Sequence, residues 1–427
     1  MRPALVLLLP KTAYRNDDLL AAAQAADVEV IVASDRCHVL ARDWTAGALP
    51  VNFSRPGEAA NVLAKAVAER MPVAILGVDE QTALVAALAS ALLGLAHNPI
   101  EALLSARNKA RAREKQLSAG LPSPWFEVVQ RDLDEAALSA LCARVHFPCV
   151  VKPLVLSGSR GVIRADDAAS LRTAIARVSA LLRSPQVAVR RDPELGRLLI
   201  EEFLPGPEIA LEGLLTRGKL EVLAIFDKPD PLDGPFFEET LYVTPSRHPA
   251  GLQDAAASLA EAGARALGLV EGPLHAELRL TPRGPRILEL AARSIGGLCG
   301  RVLRFGAGIS LEDLVVRHAL AQAGFWPGDL PARESGAAGV LMLPIRRGGI
   351  LREVRGLDEA RAVSGVTSVV ITAHLDEELV PLPEGASYLG FASARGPNPE
   401  QVEQALRAAG AAIEAVVSPR LATAQAQ

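Results

Sequence analysis

The chain has 427 residues, 50% of them hydrophobic and 22% charged, with a formal net charge of −4 at pH 7. That length excludes a small disulfide-stapled fold and predicts two or three globular units, and the apolar content argues against extensive disorder. The near-balanced charge lacks the cationic field that non-specific nucleic-acid binding requires, so the expected partner is a small molecule.

The opening MRPALVLLLPK starts like a secretion signal. Its apolar run Ala4–Leu9 stops at Pro10-Lys11 with no small-residue cleavage site after it, so it reads as a first buried strand. Strands at Val28–Ala33 and Val73–Gly77 then alternate with helices at Asp17–Ala26, Pro56–Arg70 and Glu80–Leu95. Short apolar strands between helices predict βαβ units around a parallel sheet, an N-terminal α/β domain over 1–105. The longest apolar stretch, Ala83–Ala96, is broken by Ser90 and flanked by Asp79, Glu80 and Glu101. It is shorter than the roughly 20 residues a membrane span needs, which predicts a buried helix and no membrane partner.

Ile100–Ala119 reads as one charged helix opening a second unit over 106–323. Strands follow at Trp125–Val129, Cys149–Pro153 and Leu198–Leu204, with helices at Leu133–His146 and Asp166–Leu182. Beyond them, Glu208–Leu215, Leu220–Asp227, Gly272–Leu280 and Pro285–Leu290 read as antiparallel strands, with helices at Pro249–Leu267 and Ser310–Ala323. The segment 324–427 carries strands at Ala338–Pro344 and Val366–Thr372, a Gly/Pro-rich tract at Leu382–Gly396, a helix at Pro399–Ala415 and a frayed Ala/Gln tail, which suits a smaller α/β lobe. The fold class is therefore α/β, with an α+β central part. Cys37, Cys142, Cys149 and Cys299 show no C-x-x-C spacing and read as reduced thiols of a cytoplasmic protein.

Of 45 cationic side chains only seven are lysines, and a lysine kept against that bias marks places where a compact ammonium is wanted. Lys109, Lys152 and Lys228 are among them. Lys152 ends a strand that leads into the small-residue loop Ser157-Gly158-Ser159-Arg160-Gly161, whose amides can approach an anion, although a plain turn has the same composition. Glu277 and Glu289 flank the turn Thr281–Gly284, and hairpin pairing about it brings them level. Two like charges on adjacent strands call for a divalent cation between them, or else for arginine partners such as Arg279 and Arg286. Glu201 and Glu202 end an apolar strand, and Phe203, Leu204 and Glu208 follow, an arrangement able to offer backbone groups and a carboxylate to an adenine and a ribose.

In order, Lys109, Val151-Lys152-Pro153 with its Gly/Ser loop, Glu201-Glu202-Phe203-Leu204-x-Gly206-x-Glu208, His275-x-Glu277 and Leu288-Glu289-x-x-x-Arg293 resemble the ATP-grasp ligases over roughly residues 1–320. The flavour is similar to the carboxylate-amine ligases, such as L-amino-acid ligases and carnosine synthase. This resemblance implies an ATP-grasp fold whose central domain is two-lobed, with a mobile lid at about 120–195, and ATP with Mg2+, or Mn2+, as cofactors. It implies that Lys109 and Lys152 contact the phosphates or the adenine region, that Ser157, Gly158, Ser159 and Gly161 cover the phosphates, and that Glu201, Glu202, Phe203 and Leu204 hold adenine. Glu208 would take the ribose, Glu277 and Glu289 the metal, and Arg293 the developing phosphoryl charge, with Lys228 reaching the γ-phosphate from a closing loop. His275 and the Ser294-Ile295-Gly296-Gly297 turn would touch the substrate, and Phe236, Phe237, Glu238 and Glu239 would line or cap the pocket. Where many members have an asparagine two residues after the second metal glutamate, this chain has Ala291. The implied reaction joins a carboxylate and an amine, amino acids above all, through an acyl phosphate, and a homodimer is the implied assembly. Alternatives are a carboxylating enzyme of the biotin-carboxylase or purine-pathway type and an ATP-binding module without turnover.

Overall fold

Ala4–Leu8 is buried along its whole length and forms the centre of a parallel sheet whose strand order is Ala48–Pro50, Glu29–Ser34, Ala4–Leu8, Pro72–Gly77 in the computed structural model. The structure describes residues 2–11, 13–35, 48–325 and 331–420. Alternation along the first strand explains its burial: Val6 and Leu8 enter one core, Leu5 and Leu7 the core on the opposite face. The apolar stretch predicted as a buried helix is Glu80–Leu93, started by a capping box between Asp79 and Thr82 and ended by Gly94 in the left-handed region. Among the described residues, no helix is long and apolar enough to cross a membrane.

The stretch expected as one helix over Ile100–Ala119 is two, Ile100–Arg107 and Lys109–Ser118. Asn108 makes the break: its extended backbone stops the first helix, and its side chain accepts hydrogen bonds from the amides of Ala110 and Arg111 to start the second. The bend leaves Lys109 on the first turn of the new helix, with its amide donating to the Leu154 carbonyl at 3.1 Å.

Two antiparallel sheets make the rest of the site. The smaller, ordered Phe126–Gln130, Arg197–Glu202, Cys149–Pro153, Ile163–Ala165, carries the helix Ala168–Arg183 over its core and overlaps the segment expected as a lid at about 120–195. The larger has eight strands, ordered Gly284–Ala291, Gly272–Thr281, Glu208–Thr216, Lys219–Lys228, Leu241–Thr244, Ala337–Leu343, Gly390–Gly396, Val366–Ile371. Its last three strands come from the segment expected to form a separate lobe. Leu241 and Val243 share one core with Leu343, Leu351 and Leu406, so one sheet and one core run across residue 324.

Several short strands escaped the sequence reading, three of them for visible reasons. Leu241–Thr244 is too short to show a period, Gly349–Arg355 lies between glycine-rich turns, and Gly390–Gly396 hides in small residues. Gly390 needs its size, because a Cβ there would meet the Val370 carbonyl oxygen at 2.3 Å. The helix expected to run to Ala415 stops at Ala412 and is followed by the strand Glu414–Ser418. Cys142, Cys149 and Cys299 are free, whereas Cys37 and the Ala/Gln tail lie outside the described residues.

A shared core predicts shared unfolding. Leu406→Ala removes a fully buried side chain from it and is expected to cost about 2–5 kcal/mol, lowering one common calorimetric transition for the large sheet. A separate early transition that alone moves would show instead that the C-terminal segment folds independently.

Candidate active site

The hairpin Gly272–Thr281/Gly284–Ala291 brings Glu277 opposite Glu289, as expected. A straight ladder from the Thr281–Gly284 pair would place Glu277 opposite Leu288; a bulge between Glu277 and Leu278 adds the needed residue to the second strand. The Leu288 carbonyl accepts a hydrogen bond from Arg113 Nη2 at 3.0 Å.

Glu277 and Glu289 line a cleft between the two antiparallel sheets, together with Lys109, Lys152, Ser157, Gly158, Ser159, Glu201, Glu202, Phe203, Leu204, Glu208, His275, Arg293, Gly296 and Gly297. Most of the expected site thus converges. Gly161, Ser294 and Lys228 are not on its wall. Gly161, left-handed at φ 73°, packs its α-carbon where a Cβ would meet the Pro153 ring at 2.8 Å. Ser294 turns its carbonyl to Arg293 Nη1 at 3.0 Å and Arg15 Nη2 at 3.4 Å, which ties the turn to the N-terminal domain.

Lys228 departs furthest from expectation. It does not ride on a loop but ends the strand Lys219–Lys228, with its side chain only 2% exposed. Its ammonium lies 2.5 Å from Glu208, 2.6 Å from Glu239 and 3.3 Å from Glu277. Burial alone would lower its pKa, yet these carboxylates hold it well above the usual lysine value. Glu239, pressed by burial and by Glu277, is raised to about 7 despite Lys228. For Glu277 burial is outweighed by Lys228 and His275, which keep it well below the ordinary carboxylate range.

His275 lies with Nδ1 at 3.4 Å from Glu212 and Nε2 at 3.5 Å from Glu277. Burial opposes its charged form, but the two carboxylates raise its pKa. Glu212, which also accepts from the Ile295 amide at 2.9 Å, was not foreseen, although it shares a strand face with Glu208 four residues earlier. Arg293 reaches Glu80 of the N-terminal domain at 3.4 Å. Tyr242, Met342 and Tyr388, from strands and a loop far along the chain, complete the wall. Only a three-dimensional sheet order could have found them.

On the lid side, Lys109 Nζ donates to the Leu156 carbonyl at 2.7 Å and stands 3.3 Å from Glu289. Glu201 is buried between Arg113, 3.1 Å away, and Lys152. Burial would raise its pKa, but the two cations lower it to about 2. Its carboxylate is thus engaged within the protein, while Glu202 points outward to Arg283 at 2.9 Å. Glu208 is likewise engaged, with Arg279 at 3.2 Å besides Lys228.

Carboxylate oxygens of Glu208, Glu239 and Glu277 lie within 4.8 Å of one another, with Glu289 opposite Glu277. An all-oxygen, anionic donor set suits a hard divalent cation, so these residues fit Mg2+ or Mn2+. In the Ser157–Gly161 loop, Gly158 (φ 65°) and Ser159 (φ 55°) adopt the left-handed conformation and line the cleft beside Lys109 and Lys152.

With this geometry in place, comparison with known proteins defines the class. A family model described as ATP-grasp domain matches residues 145–302, and one described as L-amino acid ligase C-terminal domain 2 matches residues 341–418. The chain thus carries an ATP-grasp domain over those residues of its central part. It is similar to the crystal structure of L-amino acid ligase from Bacillus licheniformis, with a TM-score of 0.81 over 97% of this chain and 99% of that one at 23% identity. It is 27% identical over 316 residues to uncharacterized protein y4rH of Sinorhizobium fredii (73% of this chain, 61% of that one). It is also 30% identical over 302 residues to carnosine synthase 1 of Gallus gallus (67% of this chain) and spans 32% of that protein's length.

Because Glu201 is more acidic folded than unfolded, its stabilisation is complete above the ordinary carboxylate pKa of roughly 4.3 and is lost as pH falls towards 2. Glu201→Gln should therefore flatten the acid limb of the stability curve in chemical denaturation between those values. An acid limb as steep as that of the unsubstituted protein would mean that another group controls it.

Proposed function

We propose that the chain is an ATP-dependent carboxylate-amine ligase that forms a peptide-like amide and releases ADP and phosphate. The observation that carries this reading is the Glu277/Glu289 pair opposite each other in one cleft with the Lys109, Lys152 and Ser157–Ser159 cradle and Arg293. The carnosine synthase and L-amino acid ligase similarities support the ligase class.

A carboxylate is a poor electrophile until it is activated. In the proposed reaction its oxygen attacks the γ-phosphorus, the bond to ADP breaks, and an amine then attacks the acyl carbon and expels phosphate. Glu277 and Glu289, with Glu239 beside them, would hold a divalent cation, which offsets phosphate charge when bound. Lys109, Lys152 and the loop amides hold the nucleotide's phosphates, the Phe203-Leu204 segment its adenine and Glu208 its ribose. Arg293 shields the oxygens of the transferring group and of the acyl phosphate. His275 orients Glu277 from behind. The Gly296-Gly297 turn receives the substrate, and a wall of Tyr242, Ile295, Met342 and Tyr388 favours substrates with apolar side chains. Closure of the lid excludes water that would hydrolyse the acyl phosphate.

The test is ADP and phosphate release from Mg-ATP across amino acids offered singly and in pairs, with mass spectrometry of products. ADP formation that needs two substrates, with a product of their summed mass less water, is the expected result. Bicarbonate-dependent ADP release without an amine would replace this reading with a carboxylating enzyme, and ATP binding without turnover would replace it with a nucleotide-binding module. Lys152→Ala should lower kcat/KM for ATP by about tenfold to a hundredfold, the weight of a charged hydrogen bond, with the fold retained by circular dichroism. Unchanged ADP production would remove Lys152 from the site.

A further inference from the structure

The phosphate loop is held from outside the lid. Gly161, the last residue of the loop, donates its amide to the Pro383 carbonyl at 2.8 Å. Its neighbour Arg160 donates from Nε to the Glu384 carbonyl, also at 2.8 Å, across 224 residues of sequence. From the lid helix Ala168–Arg183, Arg177 grips the Glu384 carboxylate with both arms, Nε to Oε1 at 2.5 Å and Nη2 to Oε2 at 2.9 Å. Three contacts of different chemistry thus converge on two consecutive residues of the C-terminal segment.

The receiving turn is shaped for this. Gly385 donates its amide to the Pro381 carbonyl at 2.9 Å, and a Cβ at Gly385 would lie 1.9 Å from the Val380 carbonyl oxygen. A second support touches the lid next to the first. The amide of Arg164 donates to the Pro235 carbonyl at 2.9 Å, Ile163 bridges Phe236, and the Arg177 guanidinium lies 4.8 Å from the Phe236 ring centre. Arg177 therefore joins both supports to one lid helix.

We propose that Glu384, on the Pro381–Gly385 turn, is a positioning residue that holds the Ser157–Gly161 loop closed over the nucleotide. This rests on the ligase reading for what the closed loop protects, but not for the strap itself. Entry of ATP and departure of ADP require the Arg177–Glu384 grip and the Gly161–Pro383 hydrogen bond to release together. The exposed ion pair is the part that can exchange with water, and the backbone hydrogen bonds set the register on reclosing. A loose strap would leave phosphorylation possible while admitting water to the acyl phosphate.

Two readouts test this on the full chain. The first is hydrogen exchange over residues 156–164 without nucleotide, in the unsubstituted protein, Glu384→Gln, Arg177→Gln and Gly385→Ala, with thermal unfolding as the control for folding. Exchange there should quicken by about fivefold in each variant, the effect of one well-formed pair. The charge swap Arg177→Glu with Glu384→Arg should slow it again. Exchange in the variants equal to that of the unsubstituted protein would overturn the strap. The second readout is the ratio of ADP to amide, which should rise from near one to well above one in Glu384→Gln, with KM for ATP raised more than kcat is lowered. An unchanged ratio with quickened exchange would overturn the positioning role and leave the contact purely structural. If the unsubstituted protein forms no amide, the ligase reading fails and, with it, the protective role, while the exchange result still decides the strap.

Discussion

The buried ammonium of Lys228 is the constraint on which the acidic end of the cleft depends. Three carboxylates meet within a few ångströms of one another, and their mutual repulsion in a water-poor site would be severe if nothing positive lay among them. Cross-strand register supplies the cation: Lys228 is the ladder partner of Glu208, and Arg279 is the partner of Glu208 on the opposite strand. One carboxylate is thus clamped from both sides by its own sheet neighbours. Glu277 takes the third contact of the ammonium and the imidazole of His275, whereas Glu239 carries the residual strain as a raised pKa. The order of strands, more than any local motif, creates the electrostatics.

The same logic links the lid to this centre. Lys109 begins a helix because Asn108 caps it, and from there its ammonium bridges the Leu156 carbonyl, at the entrance of the phosphate loop, and Glu289. Arg113, one turn further along, bridges Glu201 of the lid strand and the carbonyl of the bulged Leu288. Two successive turns of one helix therefore tie both lobes to the hairpin that carries the acidic pair. A single side chain, Lys109, thus joins the loop after Cys149–Pro153 to Glu289.

How much of this was legible in the sequence depends on the range of the contact. The Glu277–Glu289 pairing is local, set by a short turn, and counting residues found it even though the bulge that makes it true was not foreseen. The strand Cys149–Pro153 and the loop after it were legible because an unbroken apolar run beside glycines has few alternatives. Lys228 was misread because Pro229, Asp230 and Pro231 follow it and look like the start of a loop, whereas the strand continues up to that point. Glu212 and Tyr242 were missed because their partners come from strands adjacent in the sheet but remote in the chain. The way the segment 324–427 joins the large sheet was hidden for the same reason: composition changes near residue 324, while hydrogen bonding crosses it.

The pairing of charges also bears on what the cleft can accept. Lys109 is matched with Glu289, Lys152 with Glu201, Arg279 with Glu208, Arg293 with Glu80, and Lys228 with three carboxylates. A polyphosphate arriving alone would have to draw these cations away and leave buried carboxylates unpaired, which costs more than the new contacts return. A divalent cation held at Glu277 and Glu289 would remove the conflict, because its charge would offset the carboxylates and leave Lys109 and Lys152 for the phosphate oxygens. The matched pairs of the cleft would therefore favour the metal complex of a nucleotide over the free anion.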